Sequence, residues 1–133
     1  MIVVDTNVIT YLILQREKTD QAQTLYRKDS DWIVPTLWRH EFLNVLANYV
    51  RHGGVEYDDV EKALNQAISC FGDKERQVDM LFALRLAGTH NISAYDAQYI
   101  ALAENLGVTC ITEDQRLLKA FPNTTCTMAA YHC

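Results

Sequence analysis

Residues 1–10 read MIVVDTNVIT, and the reading of this stretch decides the fold. Ile2, Val3 and Val4 form the short apolar run of a strand buried on both faces, and whatever follows such a strand emerges at its carboxyl end. Asp5 stands at that point, and Thr6 to Leu14 continues as a short apolar helix. One acid at a strand end has ordinary uses. Several acids brought to the same edge would repel one another, and that arrangement would need a reason.

Downstream, the same strand-then-helix alternation recurs. A polar break over Gln15 to Lys18 leads to a second helix from about Asp20 to Arg27. Trp32 to Val34 is a second strand, stopped by Pro35, which lacks the N–H a ladder needs. After it, apolar residues at Leu37, Phe42, Val45, Leu46, Tyr49 and Val50 recur at helical spacing until Gly53 and Gly54. Two helices are expected over Tyr57 to Phe71 and Lys74 to Ala87, with Gly72 and Asp73 between them. Ser93 stands three before Asp96, a capping-box-like start for a helix that runs to Leu106 and closes at Gly107. Val108 to Thr112 is a third strand, Asp114 to Ala120 a short helix and Thr124 to Met128 a last strand. Strands alternating with helices predict a parallel sheet covered on both faces.

Composition narrows the class further. At 133 residues and 49% hydrophobic, residues 1–133 fit one globular domain with a real core. Charge interrupts every apolar stretch well short of the roughly 18 residues a membrane span needs, and no secretion signal is recognisable. The expectation is a soluble, cytoplasmic protein without a membrane role. Cys70, Cys110, Cys126 and Cys133 form no C-x-x-C pair, and with the four histidines they complete no zinc spacing, so they read as reduced thiols. A net charge of −5 argues against a broad basic face for nucleic acid, and any such contact must be local.

Four acids stand out by position. Asp5 follows the first strand, Glu41 lies in the first turns of the third helix, Asp96 in the first turn of the Ser93 helix, and Asp114 after the third strand. In a doubly wound sheet the carboxyl ends of strands and the amino ends of the following helices share one edge, where ligands bind. Taken singly, Asp96 reads equally as an acid complementing the helix dipole and Asp114 as a helix cap. Glu41 sits among Leu37, Trp38, Phe42, Leu43 and Val45, where an unpartnered acid is costly. Together, with few Lys or Arg nearby in sequence, the four would raise one another's pKa values. A hard divalent cation such as Mg²⁺ or Mn²⁺ resolves that conflict, because carboxylate oxygens are its preferred ligands.

These segments together resemble the PIN-domain family and, within it, the VapC-type toxins of toxin–antitoxin pairs. The resemblance rests on VVDTNVI, WRHEFLNVL, SAYDAQYIALAENLG and VTCITEDQRLL, which span nearly the whole chain in the family's order. It implies a three-layer α/β/α fold with a central, mostly parallel sheet of four to five short strands. It also implies a Mg²⁺- or Mn²⁺-dependent endoribonuclease that cuts tRNA or ribosomal RNA to arrest translation, forms a homodimer and is inhibited by a cognate antitoxin. By position, the family's acidic quartet falls on Asp5, Glu41, Asp96 and Asp114, as catalytic residues and metal ligands. Asn7 and Thr112 match supporting positions that orient the acids, Thr6 reads as an early-helix residue, and the orientation of Glu113 is open. Arg39, His40, Arg116 and Lys119 lie close in sequence to Glu41 or Asp114 and are candidates for holding RNA phosphates, with a solvated helix face as the competing reading.

Other functions fit less well. A non-catalytic RNA- or partner-binding module would be signalled by loss of a quartet acid, and none is lost. An aspartyl-nucleophile phosphotransferase would use Asp5, but that chemistry usually wants a second acid two residues on, where Asn7 stands. A dinucleotide-binding domain needs a G-x-G-x-x-G after the first strand, and the chain has none there.

Overall fold

The computed structural model describes residues 1–14 and 17–132; Gln15 and Arg16 of the expected polar break, and Cys133, lie outside them. In chain order the elements are β1 (Ile2–Val4), α1 (Thr6–Ile13), α2 (Thr19–Lys28), β2 (Trp32–Pro35), α3 (Trp38–His52) and α4 (Tyr57–Phe71). A 3-10 turn over Gly72–Lys74 then leads to β3 (Glu75–Arg76), α5 (Met80–His90), α6 (Ala94–Leu106), β4 (Cys110–Ile111), α7 (Gln115–Ala120) and β5 (Thr125–Cys126). All five strands are parallel, in the order β3-β2-β1-β4-β5.

Alternation along these short strands divides the core into two layers. Ile2, Val4, Trp32, Val34 and Ile111 face α1, α3 and α4, where Trp38, Phe42 and Phe71 are buried with them. Val3, Ile33 and Cys110 face the other way, onto α5 and α6. Helix α6 lies between the sheet and α5, so Ala97 and every residue from Tyr99 to Ala103 are buried. Because both faces of the sheet are covered, its three inner strands β2, β1 and β4 carry apolar residues without alternation in polarity.

The sheet order reverses at β1: β2 and β3 lie to one side, β4 and β5 to the other. Such a switch point leaves a crevice outside the carboxyl ends of the two central strands. Asp5 caps α1 directly after β1, and Asp114 caps α7 three residues after β4.

Two local expectations are corrected. No helix begins at Lys74; Glu75–Arg76 is an edge strand paired with Val34–Pro35, and the helix starts only after its cap Asp79, whose side chain accepts a hydrogen bond from the Phe82 N–H. Glu75 is drawn to the sheet by Trp38 and Arg39, contacts with a distant helix that local periodicity does not encode. Pro35 does not stop β2 but ends it from within, paired with Arg76 beyond Trp32 and Ile33, the residues in register with β1. There its missing N–H interrupts no central ladder.

Candidate active site

The crevice at the switch point is an open groove of about 440 Å³ lined by Asp5, Thr6, Asn7, Thr10, Tyr11, Glu41, Asn44, Val45, Tyr49, Asp96 and Asp114. The four acids singled out in the sequence therefore line one groove. Each reaches it from a different element: Asp5 from the end of β1, Glu41 from α3, Asp96 from the first turn of α6 and Asp114 from the cap of α7.

Asp5 is the deepest, only 7% exposed. Its Oδ1 accepts from the Thr6 N–H at 2.8 Å, and its Oδ2 accepts from the Thr112 hydroxyl at 2.7 Å and the Asn7 amide at 3.3 Å. No Lys or Arg among the described residues pairs with it. Burial pushes its carboxyl up from 3.8 to about 7; the Thr112 hydroxyl pulls the other way, and the charges of Glu41 and Asp96 push further up. Asp96 is likewise raised, by burial and then by Asp114, against the lowering influence of Ser93 and Arg116. Asp114 accepts from the N–H groups of Arg116 and Leu117 at 2.8 and 3.3 Å, so the capping role is real and coexists with its place in the groove.

Glu41 is held by two hydroxyls whose part the sequence did not reveal. The Tyr99 phenol donates to its Oε1 at 2.5 Å, and Thr6 Oγ1 reaches the same oxygen at 3.0 Å and the Tyr99 oxygen at 2.5 Å. Tyr99 follows Asp96 by three positions, which on a helix places both on one side. That spacing is the signal that could have distinguished it from an ordinary core tyrosine. Thr6 is likewise more than an early-helix residue, since its N–H and its hydroxyl serve two different acids.

The supporting positions divide. Asn7 and Thr112 both hydrogen-bond Asp5, and the Thr112 hydroxyl also accepts from the Asp114 N–H at 3.0 Å, so it ties two acids together. Glu113 turns away from the groove, accepting from Lys18 Nζ at 2.9 Å and from the Met128 N–H at 2.9 Å. Arg39 is bound to Glu75 through Nε at 2.6 Å and Nη2 at 3.1 Å, which commits its guanidinium to the β3 edge. His40 is exposed at the start of α3. Arg116, 74% exposed, lies 3.9 Å from Asp96, while Lys119 joins it in lining a separate hollow with His90, Asn91 and Ile92.

A model of the PIN domain family matches residues 2–121. The chain belongs to the PIN domain family. Ribonuclease VapC3 of Pyrobaculum aerophilum is 29% identical over 126 residues, spanning 91% of this chain and 95% of its own. Among solved structures, PAE2754 from the same organism superposes with a TM-score of 0.77 at 22% identity, covering 96% of this chain and 90% of its own. FitAcB from Neisseria gonorrhoeae gives 0.71 at 18% identity, covering 97% and 99%. The PIN fold, a parallel five-stranded sheet between helices, is thus shared well beyond recognisable sequence identity.

The donor set of this PIN groove suits a hard cation. Among the described residues Asn7 Oδ1 is buried without a hydrogen-bond partner while its amide nitrogen donates to Asp5, so an acceptor oxygen meets no described donor. Among the described residues, no three His, Cys, Asp or Glu side chains cluster tightly enough to cage an ion by themselves. Mg²⁺ does not require such a cage, since it keeps several waters and takes one or two carboxylates directly. No helix of the described residues is long and apolar enough to cross a membrane.

Proposed function

We propose that this chain is a divalent-metal-dependent endoribonuclease of the VapC type, the toxin of a toxin–antitoxin pair that cleaves tRNA or ribosomal RNA. The observation that carries the reading is Asp5: buried, without a cationic partner among the described residues, and sharing its groove with three further acids. A fold keeps such repulsion where a ligand relieves it. The similarity to a protein named as a ribonuclease supports the choice of substrate. The antitoxin and the homodimer follow from the resemblance to VapC-type toxins.

In this reading Asp5, Asp96 and Asp114 would hold Mg²⁺ or Mn²⁺, one or two of them directly and the rest through its waters, with Glu41 acting directly or through water. The bound ion supplies charge neutralisation and Lewis-acid activation for attack of water on a phosphodiester. Thr112, Asn7 and the Thr6 N–H fix both oxygens of Asp5, which lines the groove, and Arg116 would meet an RNA phosphate beside Asp96. Hydrolysis by water leaves a 5′-phosphate and a 3′-hydroxyl.

The test is incubation of antitoxin-free protein with total RNA in EDTA, Mg²⁺ or Mn²⁺, beside Asp5→Ala, with analysis of the product ends. Discrete metal-dependent cuts bearing 5′-phosphates, absent in the variant, are expected. A 2′,3′-cyclic phosphate would refute the mechanism. Equal inertness of two folded proteins on every RNA would favour a binding module instead.

A further inference from the structure

We propose that Tyr99 is a positioning residue for Glu41, acting with Thr6 to hold one carboxylate oxygen so that the other is presented to the groove. The proposal rests on the reading of Glu41 as part of the cation and cleavage site.

Tyr99 has no exposed surface, yet it is a tyrosine where a phenylalanine would fill the same apolar space between the sheet and α5. A buried phenol must find a partner. Here the partner is an acid on another helix, 58 residues away in sequence. The Glu41 carboxylate can only accept, so the phenol is the donor in this contact. Thr6 Oγ1 approaches both oxygens of that contact, so three oxygens meet within 3.0 Å of one another.

Every hydrogen bond to the Glu41 side chain among the described residues ends on Oε1. Two protons serve these three contacts, the phenol's directed at Glu41 and the Thr6 hydroxyl's shared between Glu41 and the phenol oxygen, so one carboxylate oxygen is held and the second is left for something else. Glu41 lines the groove, and Oε2 is the oxygen that no described residue engages. Tyr99 suits the task because a ring packed on all sides cannot swing, whereas Glu41 on its own has three rotatable bonds at a half-open surface. Partners of this kind typically change metal affinity or activity by about 10–100-fold when removed.

The experiment measures Mn²⁺ affinity of the RNA-free protein by calorimetry, alongside kcat and KM for RNA cleavage and the melting temperature. Tyr99→Phe should weaken Mn²⁺ binding by about 10-fold and lower kcat, with KM little changed. Thr6→Val should act in the same direction and Thr6→Ser should not, which carries the test even if Tyr99→Phe does not fold. In a Glu41→Ala background, Tyr99→Phe should add nothing further to the loss of Mn²⁺ affinity. If the Tyr99 and Thr6 variants lower only the melting temperature, or if Tyr99→Phe costs as much affinity without Glu41, the positioning role is overturned. Wild type that binds no Mn²⁺, or Glu41→Ala that binds it as wild type does, would instead refute the metal reading, and the proposal with it.

Discussion

Glu75 and Asp5 are both carboxylates set against the sheet, and the chain treats them in opposite ways. Glu75, at the β3 edge, receives Arg39 Nε at 2.6 Å, Arg39 Nη2 at 3.1 Å and Trp38 Nε1 at 2.8 Å. The Arg39 guanidinium holds its carboxyl below the usual range despite partial burial. Asp5, at the β1 end, receives only neutral donors from the described residues, has two acids near it and is pushed up to about 7. The same contrast is repeated between neighbours in sequence, since Glu113 is neutralised by Lys18 while Asp114 faces the groove. Glu75 and Glu113 each receive a cation from the protein at hydrogen-bonding distance, whereas Asp5 receives none from the described residues.

Replacing Asp5 should break the contrast most severely. Asp5→Asn is expected to abolish RNA cleavage and at the same time to stabilise the cation-free protein at pH 8. The rise in its carboxyl from 3.8 to about 7 sets a ceiling on the order of 4 kcal/mol for that gain. Chemical denaturation in EDTA checks it. A loss of stability equal to that of a core deletion would mean that Asp5 is structural.

Next in size is the pH dependence of the unmodified protein without metal. An acid whose folded value exceeds its unfolded one stabilises the fold fully below the unfolded value, and that contribution is lost as pH rises through the folded one. Stability in EDTA should therefore fall between about pH 5 and pH 8 through Asp5, with Asp96 adding in the same direction. Glu75 and Asp29, both lowered, act oppositely, but over the acid range where ordinary carboxylates titrate. Melting curves across pH should flatten in Asp5→Asn.

Glu75→Gln supplies the converse. It should lower the melting temperature by a few degrees at pH 7 and leave Mn²⁺ affinity unchanged, because its partners lie at the β3 edge and not in the groove. The smallest effect is expected from Arg116→Ala. Its pair with Asp96 is long and largely exposed, so stability should hardly move. RNA affinity should weaken modestly and show a shallower salt dependence, read by binding titrations at two ionic strengths.

Much of this was legible in the sequence where the signal was local. The apolar run at Ile2–Val4, the cap at Ser93 and the glycine at Gly107, which takes φ +67 at the end of α6, mark their elements directly. The placement of the four acids at strand ends and first turns was enough to bring them to one edge once the sheet was taken as doubly wound. What escaped depended on distant partners. The two-residue strand β3 exists because Val34 and Pro35 pair with it and Trp38 and Arg39 bind Glu75, none of which leaves a period in residues 74–79. Tyr99 looked like core because it is core, and only its hydroxyl, meeting Glu41 and Thr6 across the layer, gives it a second use. Arg39 looked available for phosphate because Glu75 could not be seen beside it.

The most direct measurement is a comparison of Mn²⁺-induced stabilisation in the wild type and Asp5→Asn at pH 7.5, without RNA, by thermal unfolding. If the crevice is left acidic in order to take a cation, Mn²⁺ should raise the wild-type melting temperature in a saturable way and leave the variant unmoved. An equal shift in both proteins, or none in a folded wild type, would contradict it.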